Sequence, residues 1–381
     1  MVPRAKSERA AGEWIDELDL LRALALLAVV VIHAGSWVVG GAGRPQAGPI
    51  DALVAVARFC VPAFVLMSGI VLQRAYGGRP RRPALFLRRR WLRVLVPWLV
   101  WTPVFYALAV ATGGLPAAPG ALLRWAALGA GHLYFLVLIA QLYLVMLVMP
   151  RGRRGLAAFA AAAVAAQLAL GWLHTYLLAS HVRGLLAWPL VYDAQLEAPF
   201  WIGYFGLGCL IGAEYERLRR LSRYWWAALG AAVLAVVVML EVSAQVPGGT
   251  FTQSTYSYLW PSMAPMTLAI AATVLWAGRR LRPHLGPVWP AVRGLSRHSL
   301  GVYVLHVIVI VALGTATAGI LTPARYVLLV IAALALTYPV VALLAATRLG
   351  ALALGEDPAR AHREAGRRPA NRRAAGRRPA M

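Results

Sequence analysis

Stretches of about 18 or more residues almost free of charge recur from one end of this chain to the other, each long enough to cross a hydrocarbon core roughly 30 Å thick as a helix. Inside lipid every backbone N–H and C=O needs a partner from the protein itself, and a helix supplies one within each segment. Ten such runs can be drawn, at about 20–40, 52–73, 94–111, 131–149, 155–178, 198–214, 224–241, 258–277, 298–320 and 324–348. A length of 381 residues would otherwise suggest two or three soluble domains, but a chain 60% hydrophobic and only 14% charged excludes that. The expected fold class is all-α, a polytopic membrane protein of about ten transmembrane helices with both termini cytoplasmic.

The charge balance resembles a nucleic-acid binder at first sight, with 38 Lys+Arg against 14 Asp+Glu and a net +24. Its distribution says otherwise. With the N-terminus inside, the segments on the inner side hold 32 of the 38 basic residues. The outer loops hold Arg44, Arg124, Arg183 and Arg325, while Arg22 and Arg58 lie inside or at the edge of spans. Such asymmetry is the positive-inside pattern, and it makes membrane lipid, not nucleic acid, the expected partner of the basic surface.

Arg4, Lys6 and Arg9 precede the first apolar run as in a signal peptide, but Asp16, Glu17 and Asp19 abut it and no small-x-small cleavage site ends it, so the first span is expected to be retained. The organisation reads as a cytoplasmic segment over 1–19, a membrane core over 20–348 and a basic, disordered cytoplasmic tail over 349–381, where Gly-Arg-Arg-Pro-Ala occurs at both 366–370 and 376–380. Cys60 and Cys209 both fall inside spans, which leaves no disulfide framework and no zinc site; no metal is expected. Nearly all basic residues are arginine, a bias that fits a GC-rich genome.

An ionisable residue in a membrane helix costs about 2.5–3.5 kcal/mol at the centre on insertion scales, so each one asks for a reason. The first span has Arg22 near its inner end and His33 eleven residues on. Eleven steps of about 100° come within roughly 20° of three full turns, so both side chains share a face, about 16 Å apart along the axis. Arg90 and Arg93, three residues apart at the start of the third span, share a face as a phosphate clamp would. Taken alone, the pair reads equally well as a solvated positive-inside loop.

The segment from Leu18 through Arg22 to His33 resembles the first-helix signature of the acyltransferase 3 family, the membrane-bound O-acyltransferases of bacteria: Arg, ten residues, His. Further segments resemble that family in its order. Phe64 to Gly69 is similar to its Phe-Phe-x-x-Ser-Gly with Val65 in place of the second Phe; Arg90 to Arg93 to its Arg-x-x-Arg before a proline; His132-Leu-Tyr-Phe135 to its His-Leu-Trp-Phe-Leu with Tyr134 in place of Trp; and Ser299 to Tyr303 to its Ser-x-x-x-Tyr. The resemblance implies transfer of an acyl group, commonly acetyl from acetyl-CoA on the cytoplasmic side of a bacterial plasma membrane, to a hydroxyl of a sugar-containing acceptor. It implies acyl-CoA as a co-substrate, with no permanently bound cofactor. Arg22, Arg90 and Arg93 then fall at the inner face, where the donor phosphates would lie, and His33 where the thioester would arrive, as general base.

Ser68, Gly69, His132, Ser299, Tyr303 and Glu197 are the further residues expected to line the substrate site. For Ser68 and Gly69, small-residue helix packing is the competing reading; for Ser299 and Tyr303 it is interhelical hydrogen bonding. His132 is expected at the outer edge of its span, and Glu197, like Glu241, near an outer end. His306 reads as a packing histidine, and Gly208 with Gly212 as a packing pair. The polar stretch from Ser243 to Ser257 reads either as a carbohydrate contact or as a plain loop. A second function class, a proton-coupled transporter of a small polar solute, would use the intramembrane His and Glu as proton carriers, but no inverted repeat supports it.

Overall fold

The computed structural model describes residues 16–39, 48–78, 80–127, 129, 131–180, 190, 194–244, 258–320 and 322–356. The expected contact loop to Ser257 falls mostly outside them, as do Arg44, Arg183, the segment before Asp16 and the tail beyond Glu356. The described residues form α-helices and short 3-10 turns, and among them there is no strand. In chain order the helices are α1 (Asp16–Val39), α2 (Pro49–Ala57), α3 (Cys60–Tyr76), α4 (Pro83–Ala111), α5 (Pro119–Ala127), α6 (Tyr134–Val148), α7 (Arg153–Ala179) and α8 (Ile202–Ala213). They continue with α9 (Tyr215–Arg219), α10 (Trp225–Ala244), α11 (Met263–Leu281), α12 (Trp289–Arg297), α13 (Ser299–Ala316), α14 (Thr322–Ala345) and α15 (Arg348–Ala353).

All ten apolar runs are largely helical, but among the described residues eight helical units are long and apolar enough to cross a membrane, with Pro49–Tyr76 and Pro119–Val148 each counted as one unit. Two runs fall short. Ile202–Ala213 is a shorter apolar helix, and Met263–Leu281 is diluted by Thr267, Thr273, Arg279 and Arg280.

α1 is the hub of the bundle and packs against α2, α3, α11, α12, α13 and α14. Its central residues Leu21, Ala25, Leu26, Val30 and Ala34 are fully buried in consequence. The second long helix is interrupted at Arg58 and Phe59, between α2 and α3. Pro62 explains the break: it has no N–H to give the Arg58 carbonyl, and its ring crowds that carbonyl. The amides of Arg58 and Phe59 turn instead to Ala55 and Val56, three residues back, at 3.3 and 3.2 Å.

The α3–α8 crossing is made by glycine. A Cβ on Gly69 would come within 2.9 Å of the Cys209 nitrogen, one on Gly212 within 2.7 Å of the Ile70 carbonyl oxygen, and one on Gly208 would overlap the Leu66 carbonyl. Backbone meets backbone here, as small residues permit in membranes. At one end of the bundle ion pairs join segments that charge counting assigns to the same side: Arg282 with Asp16 at 2.8 Å, Arg153 with Glu214 at 2.9 Å and Arg74 with Glu216 at 3.5 Å.

The core runs past residue 348, where the tail was expected to begin. α15 lies against α4, with the Trp101 indole donating to the Ala353 carbonyl at 2.8 Å. Pro97 leaves the Arg93 carbonyl without its helical donor, and the Gly355 backbone seats against that carbonyl in a left-handed conformation at φ 69°. Glu356 closes the segment onto His298 at 2.7 Å.

Candidate functional site: an arginine-lined cavity below three imidazoles

Two levels of α1 carry the polar groups. At the lower level, near the basic end, Arg22 donates to Ser296 Oγ at 3.1 Å and lies 3.5 Å from Asp19 Oδ1. Ser296 in turn donates to the same carboxylate at 2.5 Å. This three-residue knot joins α1 to α12 and orients the guanidinium. Its position in the first turns of α1 also sets Asp19 at a helix N-terminus, where the backbone dipole favours a carboxylate.

Arg22 opens onto a cavity of about 170 Å³ that it lines together with Phe64, Met67, Ser68, Val71, Leu72, Arg90 and Tyr143. Three expected site residues, Arg22, Ser68 and Arg90, therefore meet here from three different helices. Ser68 donates back to the Phe64 carbonyl at 2.8 Å, and Arg90 stands 5.8 Å over the ring of Tyr76. Arg93, on the next turn, is exposed and is not part of the cavity wall. Gly69 faces α8 and serves the helix crossing, so of the adjacent pair only Ser68 reaches the cavity.

At the upper level His33 meets two other imidazoles. Ring centroids lie 5.0 Å apart for His33 and His306, 5.7 Å for His33 and His132, and 5.6 Å for His132 and His306. The pairing of α1 with α13 follows from a parallel register. Ser296 meets Arg22, His306 meets His33, and higher up Gly314 meets the indole of Trp37. The ten residues from Ser296 to His306 match the eleven from Arg22 to His33, so one helical rise carries both chains between the two levels.

His306 is fully buried, and its Nδ1 faces the Val302 carbonyl at 3.1 Å, while Nε2 is buried with no hydrogen-bond partner among the described residues. The donor on that ring is therefore Nδ1, and Nε2 carries the lone pair. A packing histidine with both nitrogens satisfied was the expectation, and the contact with His33 was not legible from its position in the apolar run.

His132, expected at the outer edge of its span as part of the substrate site, lies beside His33. Two left-handed glycines, Gly129 at φ 80° and Gly131 at φ 64°, flank the chain where α5 gives way to the 3-10 turn Gly131–Leu133. That turn aims His132 inward, with Nε2 3.2 Å from the Val304 carbonyl and the ring 4.5 Å from Phe105. Tyr303 donates its hydroxyl to the His132 carbonyl, so it ties α13 to this turn. Ser299 begins α13 one turn earlier. Glu197 precedes the turn Ala198–Phe200, in a segment stitched to α6 by Gln141, which donates to Leu196 O at 2.7 Å and accepts from Ala198 N at 3.1 Å.

The two levels are joined by aromatic contacts. Phe64, in the wall of the lower cavity, is 5.9 Å from Phe135, which is 5.8 Å from Tyr303, itself 5.6 Å from His132. Arg58 approaches from the α2–α3 break, almost fully buried and 5.6 Å over the ring of Tyr258. The helix-breaking Pro62 was the sequence signal that could have singled out this arginine. Among the described residues no group of three or more His, Cys, Asp or Glu side chains is arranged to hold a metal ion.

A family model described as an acyltransferase domain matches residues 15–344, nearly all of the described bundle. No curated protein and no solved structure matches the chain.

Proposed function

Because the chain belongs to the acyltransferase 3 family and is a membrane acyltransferase, we propose that it takes an acyl group, acetyl in the simplest case, from a cytoplasmic acyl-CoA and passes it to a hydroxyl of a carbohydrate-containing acceptor. A surface polysaccharide, a lipid-linked sugar or a glycosylated metabolite would each present such a hydroxyl. The observation that carries this reading is the two-level arrangement along α1. Arg22 and Arg90 share one cavity at the basic end, and the imidazole of His33 lies roughly 16 Å deeper on the same helix. An extended pantetheine arm spans a comparable length between the phosphates of CoA and its thioester.

In this reading the guanidiniums of Arg22 and Arg90 bind the donor phosphates, with Arg93 adding charge at the cavity mouth. Arginine suits the task because it keeps its charge and presents paired donors to phosphate. The pantetheine arm runs past Phe64, Phe135 and Tyr303, which keep water away from the thioester. His33 takes the proton from the acceptor hydroxyl as its oxygen attacks the thioester carbonyl carbon. The carbon–sulfur bond then breaks, the ester forms, and the departing thiolate collects a proton to leave as free CoA. His306 packs against the His33 ring, with 5.0 Å between centroids, and limits how that imidazole can turn. The basic end of the bundle faces the cytoplasm by the positive-inside rule, so the donor enters from within a bacterial plasma membrane.

The test is donor consumption by the purified protein in lipid, with radiolabelled acetyl-CoA and a panel of sugar acceptors. Transfer of label to an acceptor with release of free CoA is the expected result. A protein that leaves the donor intact with every acceptor, yet moves solute with protons across a vesicle, would be a transporter and would overturn the proposal.

A further inference from the structure

A second cleft, of about 270 Å³, opens at the basic end of the bundle between α3, α8, α9 and α11. It shares no lining residue with the arginine cavity, because Leu66 lies on one side of α3 and Met67 and Ser68 on the other. Its wall is apolar, built from Leu66, Leu207, Ile211, Leu268, Leu275 and Trp276, with Glu17, Arg219 and Arg279 as its charged lining.

The charged groups are not equivalent. Arg219 is engaged by Glu216 at 3.3 Å and also lies near Glu17. Arg279 keeps Nη1 buried without a hydrogen-bond partner among the described residues. A buried guanidinium nitrogen without an acceptor is costly, and an anion entering the cleft would supply one. The rest of the wall is largely apolar, so the ligand that fits both features has an anionic head and a hydrocarbon chain. Basic recesses between membrane helices on the cytoplasmic side hold anionic lipid headgroups by the same physics.

We propose that this cleft binds one anionic phospholipid of the cytoplasmic leaflet, with an acyl chain along Leu66, Ile211, Leu268 and Leu275 and the phosphodiester accepting from Arg279. The site is distinct from the donor cavity and does not depend on the acyl-transfer reading.

The experiment uses the full chain, purified in detergent and delipidated, titrated with phosphatidylglycerol and read by native mass spectrometry. One lipid should bind ahead of the rest. Arg279→Gln should weaken that first site by about tenfold or more, the effect of one lost charge-assisted hydrogen bond. Ala272→Phe, which fills the cleft from its α11 wall, should weaken it without touching the charge. Each variant is first shown to elute as the wild type does. If Arg279→Gln does not fold, Arg279→Lys, which keeps the charge, should retain the first lipid while Ala272→Phe loses it. Equal binding by wild type and every folded variant would mean annular lipid only. Displacement of the lipid by inorganic phosphate at equal concentration would mean a free-anion site; either result overturns the proposal.

Discussion

Replacing His33 by alanine removes the imidazole assigned to proton transfer and leaves the remainder of α1 in place. The buried packing of that helix rests on Leu21, Ala25, Leu26, Val30 and Ala34, whereas His33 itself is only half-buried, so the bundle should still assemble. A positioned general base is worth about 10² to 10⁴ in rate, which at about 1.36 kcal/mol per tenfold is roughly 2.7 to 5.4 kcal/mol of barrier. The loss should fall on kcat. Arg22 lies roughly 16 Å away along α1, and Arg90 lines the same cavity as Arg22, so the donor KM should stay within about twofold. Initial rates with radiolabelled acetyl-CoA, across a range of donor concentrations and with the variant in the same lipid, separate the two parameters. Size-exclusion elution and thermal unfolding confirm that the variant is folded. Activity within about threefold of wild type would remove His33 from the base role, since no general base is worth so little. A raised donor KM at unchanged kcat would move it to the binding machinery instead.

Three further outcomes are expected. Arg90→Ala should raise the KM for acetyl-CoA by about tenfold through lost phosphate bonds, with a smaller effect of Arg93→Ala, because only Arg90 lines the cavity; equal KM values for a donor analogue lacking the phosphates would show the contact is the intended one, and equal losses with both donors would assign these arginines to folding. On intact cells an impermeant thiol reagent should label Ala117→Cys, in the exposed connection between α4 and α5, and spare Arg82→Cys, before α4; Cys60 and Cys209 are fully buried and should stay silent. Labelling of Arg82→Cys from outside would invert the orientation and take the donor arginines out of the cytoplasm. Gly208→Ala should destabilise the protein by about 1–3 kcal/mol, since its methyl group meets the Leu66 backbone and not a side chain that can move, whereas Gly230→Ala, with open space around it, should unfold like wild type. Thermal unfolding of the two variants side by side checks this.

Much of the molecule follows from local chemistry along the chain. A charge-free run longer than a bilayer is thick folds as a helix wherever it sits, so the eight long apolar helical units were legible among the ten expected runs. The three-turn spacing from Arg22 to His33 is likewise a property of one helix and needs no partner to be true. The glycine pair at 208 and 212 signalled a close crossing, because lack of a side chain has only that use inside an apolar helix.

What escaped the sequence depends on which face of each helix meets protein and which meets lipid. In a soluble bundle the polar face marks the outside. Here both environments are apolar, so the periodicity that would tell them apart is missing. Gly69 and Ser68 are neighbours, yet one faces α8 and the other the arginine-lined cavity. Arg90 and Arg93 share a spacing, yet only Arg90 lines the cavity. His132 and His306 are far from His33 in the chain, and only the parallel register of α1 with α13 and the two left-handed glycines before α6 bring the three rings together. Those are consequences of long-range packing, set by backbone approach and helix register, which no window along a single apolar segment records.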